Sequence, residues 1–244
     1  MNGRANAVRC PRRAARARSH AACEETSAHA VPSAPRVRGL WLAAALAALL
    51  YGLSLGHAPY SGQPAAKAAL GVLLLAAALR HPLARERAWL GAALAASTLG
   101  DVLLALASWP PSFVAGLGAF LLAHLAYCAL FAPWRAAPRG ARAVALGAVW
   151  LAAPALYAAF LPHLAALAAP VAVYVAVLGA MASFALCART PGPQVAAGAL
   201  VFVASDALIG IDRFLGAFSG VDYFIWFLYA IAQLTMAFGV LRRK

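Results

Sequence analysis

Charge is scarce in this sequence, and acid scarcest of all. Charged residues make up 11% of the 244 positions and hydrophobic ones 64%. A soluble domain is nearer a quarter charged and half apolar. No soluble fold of this size could hide so much apolar surface, whereas a bilayer lets lipid face it directly. Cysteine is sparse too: Cys10, Cys23, Cys128 and Cys187 show no metal-ligand spacing, and two of them lie inside apolar runs. That excludes a disulfide framework and leaves a pair in the tail and two buried thiols. The six histidines, at 20, 29, 57, 81, 124 and 163, are scattered and propose no metal site. The one G-x-S-x-G string, Gly52-Leu53-Ser54-Leu55-Gly56, closes an apolar run and does not follow a strand as a nucleophile elbow does, so serine-hydrolase chemistry has no support.

What is abundant is basic charge, +13 net, and its placement excludes a nucleic-acid reading. Eight of the 20 Lys and Arg precede residue 39, and most of the others flank apolar runs, the pattern of topology signals. Residues 1–38 are rich in Arg, Ala and Pro without apolar periodicity, and read as a disordered tail. Arg12-Arg13 resembles a twin-arginine signal and the segment resembles a transit peptide, but Glu24-Glu25 interrupts it and a full span follows. An over-extended start is another reading.

Residues 39–244 read as an all-α domain, a polytopic transmembrane helical bundle. Eight apolar segments are expected at 39–56, 65–80, 88–108, 112–133, 143–161, 165–188, 194–212 and 222–241. About 20 residues span the hydrocarbon, so the second segment is short. With eight spans, every basic residue except Lys67 and Arg213 falls on one side, together with both termini. The positive-inside rule makes that side cytoplasmic. Runs such as Ala44–Ala48, Ala92–Ala96, Gly116 with Gly118, and Ala165–Ala169 suit close helix approach, although most read better as the filler of an alanine-rich genome.

Two acidic residues do not belong in lipid. Glu24, Glu25 and Glu86 fall in the tail and a loop, and Asp212 and Asp222 at segment ends. Asp101 and Asp206 lie about seven residues inside spans three and seven, roughly 10 Å deep. An ionised carboxylate there costs on the order of 3 kcal/mol, so each should face the protein interior and carry a function or a pairing, with Lys67 or Arg213 as the candidate ion-pair partners. The two spans run in the same direction, so the carboxylates can face each other. Asp101 to His124 and Asp206 to Tyr229 are both 23 apart, a faint sign of a duplicated four-helix unit. His124 and Tyr127 share a helix face, as do Tyr229 and Gln233; Tyr174 lies in the outer half of span six. Each has an ordinary reading as an interhelical hydrogen-bonding group, and Lys67 reads as a snorkelling anchor unless it turns inward.

At these residues the sequence resembles the YhhN family of membrane proteins, over about residues 65–241. The matching elements are Leu99-Gly100-Asp101-Val102-Leu103-Leu104, Phe113, Gly116 through Phe120, and Ala123-His124-Leu125-Ala126-Tyr127. Tyr174, Gly198 through Phe202, Ser205-Asp206, Arg213, Tyr229 and Ala232-Gln233 follow. The family's Lys-Pro at the start of the second span is here Lys67-Ala68. The resemblance implies hydrolysis of the vinyl ether bond of a lysoplasmalogen, a lysophospholipid, without cofactor or metal, in a bacterial-type plasma membrane. Acid chemistry suits that bond: protonating the outer alkene carbon gives an oxocarbenium ion that water captures, and a carboxyl pair can supply one acid and one base. Asp101 and Asp206 take these roles jointly, the division left open. His124, Tyr127, Tyr174, Ser205, Tyr229 and Gln233 would surround the substrate, and Lys67 or Arg213 would hold its phosphate. A transporter using the two acids as proton or substrate sites is the alternative, and a non-catalytic scaffold a third.

Overall fold

The computed structural model describes residues 35–106, 108–190, 192–216 and 218–243; most of the expected tail, with Cys10 and Cys23, lies outside them. The apolar runs form eight α-helices among the described residues: α1 Pro35–Ser54, α2 Gln63–Ala78, α3 Ala84–Leu104, α4 Ser112–Phe131, α5 Ala141–Phe160, α6 Ala168–Cys187, α7 Pro193–Leu215 and α8 Val221–Leu241. Leu and Ala are strong helix formers, and the breaks fall at Gly and Pro. Gly220, with φ 88°, supplies the left-handed turn that starts α8. Six of the helices, some extended by a 3-10 turn, are long and apolar enough to cross a membrane. The exceptions are the 16-residue α2 and the 21-residue α3, which carries Arg85, Glu86, Arg87 and Asp101.

Two boundaries differ usefully from expectation. α1 opens at Pro35, not Gly39. α3 begins at Ala84 and ends at Leu104, not 88–108, because turns through Trp109 and Ser112 around Pro110-Pro111 take over. Glu86 therefore sits in a helical first turn, not a loop, and is buried against Arg243 at 2.7 Å. Ala165–Leu167 forms a 3-10 turn, with Ala165 and Ala166 exposed, so that alanine run mediates no close packing at its start.

The basic connections gather at one end. Backbone hydrogen bonds join Ala136 to Cys187 (2.8 Å) and Arg189 to Trp134 (3.0 Å), and His81 Nε2 meets the Val240 carbonyl at 3.1 Å. Arginines close the orphan carbonyls of helix C-termini there: Arg85 donates to Leu130 at 3.2 Å and to Ala129, and Arg142 to Ala188. Each places positive charge at a negative helix end. The opposite end carries Lys67, Asp212, Arg213 and Asp222.

Packing is tightest in the hairpins α3–α4 and α7–α8, where glycine removes side-chain thickness. A Cβ on Gly198 of α7 would stand 3.0 Å from the Ala232 carbonyl of α8 and 2.6 Å from Met236 Cγ. One on Gly100 would stand 2.7 Å from the Phe120 ring, and one on Gly116 2.7 Å from Leu104. α1 is tied to α8 by indole donors, Trp41 to the Leu234 carbonyl at 3.0 Å and Trp226 to the Ala48 carbonyl at 2.8 Å. Outward, Leu46, Leu53, Val144 and Leu151 are exposed, a belt that only hydrocarbon satisfies.

Gly198→Val is expected to destabilise the detergent-solubilised protein by on the order of 1–3 kcal/mol through forced separation of α7 and α8. A melting temperature equal to that of the unchanged protein would contradict the contact.

Candidate active site

The two intramembrane aspartates come from parallel positions on α3 and α7, and each is set by its neighbours. Asp101 follows Gly100, whose missing side chain lets Phe120 of α4 close over the α3 backbone. Asp206 follows Ser205, which is fixed by a 2.9 Å bond from Oγ to the Ile225 carbonyl. Asp101 is 1% exposed and Asp206 9%. The two helices continue to different lengths beyond them. Asp101 is three residues before the end of α3 at Leu104, about 5 Å. Asp206 is nine before the end of α7 at Leu215, about 14 Å.

Every polar partner of these carboxyls among the described residues comes from another helix. Asp101 Oδ2 accepts from Tyr229 of α8 at 2.7 Å, and Lys67 Nζ of α2 stands 3.7 Å from Oδ1. Behind Tyr229, Gln233 Nε2 donates to its hydroxyl at 3.2 Å, and Tyr127 donates to Gln233 Oε1 at 2.5 Å. Tyr127, Gln233 and Tyr229 thus form one chain of donors that ends on Asp101. Asp206 Oδ2 accepts from Tyr174 of α6 at 2.6 Å and lies 3.1 Å from His124 Nε2 of α4. His124 Nε2 is also 3.1 Å from the Tyr174 hydroxyl. Phe202 packs between the clusters, edge-on to Tyr229 and His124 at 5.5 and 5.0 Å between centroids.

The 23-residue spacings acquire a meaning here. Asp101 is served by α2 and α8, Asp206 by α6 and α4. Shifting each helix by four positions exchanges the two sets. The ring carried by each hairpin serves the aspartate of the other: His124 beside Asp206, Tyr229 beside Asp101.

Two cavities meet at the pair. A smaller one, about 190 Å³, is lined by Gln63, Lys67, Asp101, Ser205, Asp206, Asp222 and Tyr229. A larger one, about 780 Å³ and almost wholly apolar, runs between α4, α5, α6 and α7 along an alanine face of α5, including Ala148, Ala152 and Ala159. Leu104, Phe120, Asp206 and Ile209 border both. Asp206 and not Asp101 therefore touches the apolar space.

Among the residues expected to surround a substrate, Lys67, Ser205 and Tyr229 line the polar cavity and Tyr174 the apolar one. His124, Tyr127 and Gln233 line neither; they stand behind the groups that do. Lys67 is turned inward to Asp101 and is not a snorkelling anchor. Arg213 is exposed and lies over the Phe113 ring at 4.7 Å, beside the outer rim of the apolar cavity. Gln63, Asp222 and the α5 wall escaped sequence reasoning. α5 carries no polar residue to attract notice along that wall, and an alanine wall is indistinguishable from alanine filler. Among the described residues, no cluster of three His, Cys, Asp or Glu side chains could hold a metal ion.

The fold and site define an all-helical, multi-pass membrane protein with two buried carboxyls at the junction of a polar and an apolar cavity. The chain belongs to the YhhN family, whose model matches residues 62–240, that is, nearly all of α2 through α8. It is 43% identical over 228 residues to proteins of Mycobacterium bovis and Mycobacterium tuberculosis, both named lysoplasmalogenase, covering 86% of this chain and 87% of each relative. No solved structure matches.

Gln233→Leu should destabilise the protein by about 1–3 kcal/mol, because it leaves the buried Tyr127 hydroxyl without a partner. Adding Tyr127→Phe to that variant should recover part of the loss. Thermal melts of both in one detergent check this; equal melting temperatures would break the proposed donor chain.

Proposed function

We propose that the protein hydrolyses the vinyl ether bond of a lysoplasmalogen, releasing a fatty aldehyde and a glycerophospho-ethanolamine or -choline. The observation that carries the reading is the meeting of the two cavities at a carboxyl pair, in a chain 43% identical to two lysoplasmalogenases. A single-chain lipid divides into the same two parts. Its hydrocarbon suits the apolar cavity, whose volume lies within the usual range for small-molecule sites. Its glycerol and phosphate suit the polar cavity, where Lys67 provides a cation beside Asp101; Arg213 stands apart, beside the outer rim of the apolar cavity. The vinyl ether, which links chain to glycerol, then falls at the junction, against the carboxyls.

The chemistry asks for little else. One carboxylic acid protonates the outer alkene carbon, the ether oxygen shares the resulting positive charge, and water adds to the oxocarbenium carbon. The hemiacetal then breaks its bond to the glycerol oxygen. A carboxylate near the cation lowers the barrier electrostatically in a site with little water to screen it, and a positioned acid contributes on the order of 10²–10⁴-fold. His124, Tyr127 and Gln233 hold the carboxyls and tyrosines in place.

We place the protein in a bacterial-type plasma membrane with all eight helices crossing, and with the arginine-rich end, where α1 begins and α8 ends, in the cytoplasm. The polar cavity then opens toward the outer side. The charges of α3 are accommodated within that arrangement: Arg85 and Glu86 by capping and pairing at the basic end, and Asp101 by Lys67 and Tyr229.

Purified protein in detergent should release aldehyde from a lysoplasmalogen with no ion gradient, and Asp101→Asn or Asp206→Asn should each lower that rate by at least about 10²-fold while the variants insert and purify normally. Full activity in either variant would exclude the shared-carboxyl mechanism. Ala152→Phe, which projects a ring into the apolar cavity, should raise KM for long-chain substrates far more than for short-chain ones. An equal effect on all chain lengths would show that the hydrocarbon lies elsewhere.

A further inference from the structure

We infer that the two carboxyls have fixed and different roles: Asp206 is the acid that protonates the alkenyl carbon, and Asp101 is the base that receives the proton of the attacking water. The inference rests on the vinyl ether reading above and deepens it.

The hydrogen-bond pattern distinguishes the two groups. Each oxygen of Asp101 has its own partner: the Lys67 ammonium Nζ at 3.7 Å from Oδ1, and the Tyr229 hydroxyl donating to Oδ2 at 2.7 Å. That is the environment of a carboxylate, which only accepts. Asp206 is lopsided. Tyr174 and His124 Nε2 both address Oδ2, at 2.6 and 3.1 Å, and no donor among the described residues addresses Oδ1. A carboxylic acid fits that arrangement, with Oδ2 as its carbonyl oxygen accepting two bonds and Oδ1 carrying a hydrogen free to be given away. If Tyr174 donates to Oδ2, its oxygen remains able to accept from the shared His124 N–H.

Position agrees with pattern. The carbon to be protonated belongs to the hydrocarbon chain, and Asp206 borders the apolar cavity while Asp101 does not. The ether oxygen, the glycerol and the incoming water belong to the polar cavity, which Asp101 and Lys67 share.

The proton inventory closes over one turnover. The hydrogen of Asp206 Oδ1 forms the new C–H bond with the alkene π pair, leaving Asp206 anionic beside the oxocarbenium ion. Water adds to that carbon and gives a proton to Asp101. The hemiacetal then collapses: its hydroxyl proton returns to Asp206, the carbonyl forms, and the departing glycerol oxygen takes the proton held by Asp101. Both carboxyls end as they began.

Azide separates the roles, because it captures an oxocarbenium ion without needing a base. The protein carrying Asp101→Ala still forms the cation. With sodium azide it should consume lysoplasmalogen roughly tenfold or more faster than without, part of what a positioned base supplies. Mass spectrometry should detect the 1-azidoalkyl ether of the glycerophospholipid. The protein carrying Asp206→Ala forms no cation, and azide should change neither its rate nor its products. Binding of a saturated 1-O-alkyl lysolipid to each variant checks that the site is intact; where an alanine variant fails to bind it, the isosteric Asn variant at that position is read in its place. An adduct from the Asp206 variant, or from neither variant with binding preserved, overturns the assignment. Failure of the unchanged protein to release aldehyde would instead remove the vinyl ether reading itself.

Discussion

The whole arrangement depends on making two carboxyl groups tolerable inside a bilayer. A carboxyl in hydrocarbon has no water to turn to, so the protein must supply every partner. Here each partner comes from a helix other than the one that bears the carboxyl. Lys67 and Tyr229 reach Asp101 from α2 and α8; Tyr174 and His124 reach Asp206 from α6 and α4. Six of the eight helices are thereby tied to one site. The close approaches at Gly100, Gly116 and Gly198 serve the same end, because long side chains can bridge helices only where the backbones are near.

The crossed pairing between hairpins gives the site its asymmetry. In equivalent places one aspartate faces an ammonium group and the other a phenol shared with an imidazole. The two carboxyls therefore have different neighbours. Acid and base roles at neutral pH need such a difference. The apolar cavity lies on the Asp206 side alone, because α5, which has only Val149 and Phe160 buried, stands off from its neighbours and leaves room along its alanine face.

Much of this was legible in the sequence. Eight apolar runs broken by Gly, Pro and Arg became eight helices, each boundary falling within a few residues of expectation. Asp101 and Asp206 were conspicuous because acid is so rare, and their like surroundings pointed to one shared site. The outer ends were less legible. α3 stops at Leu104, short of the Pro110-Pro111 turn, and α7 runs on to Leu215, so the helix ends do not lie where counting along the apolar runs puts them. The direction of Lys67 was open because a lysine one turn from a helix end can reach either way. The α5 wall was silent, since its function is the absence of bulk. Nor does sequence spacing disclose which side chain crosses to which carboxyl; that is a property of the packed bundle.

A structure of the protein bound to a saturated 1-O-alkyl lysolipid tests the central claim most directly. The account predicts the hydrocarbon along the alanine face of α5, the phosphate on the Lys67 side, and the ether oxygen between Asp101 and Asp206. A lipid seated with its ether remote from the carboxyls, or with its chain outside that cavity, would contradict it.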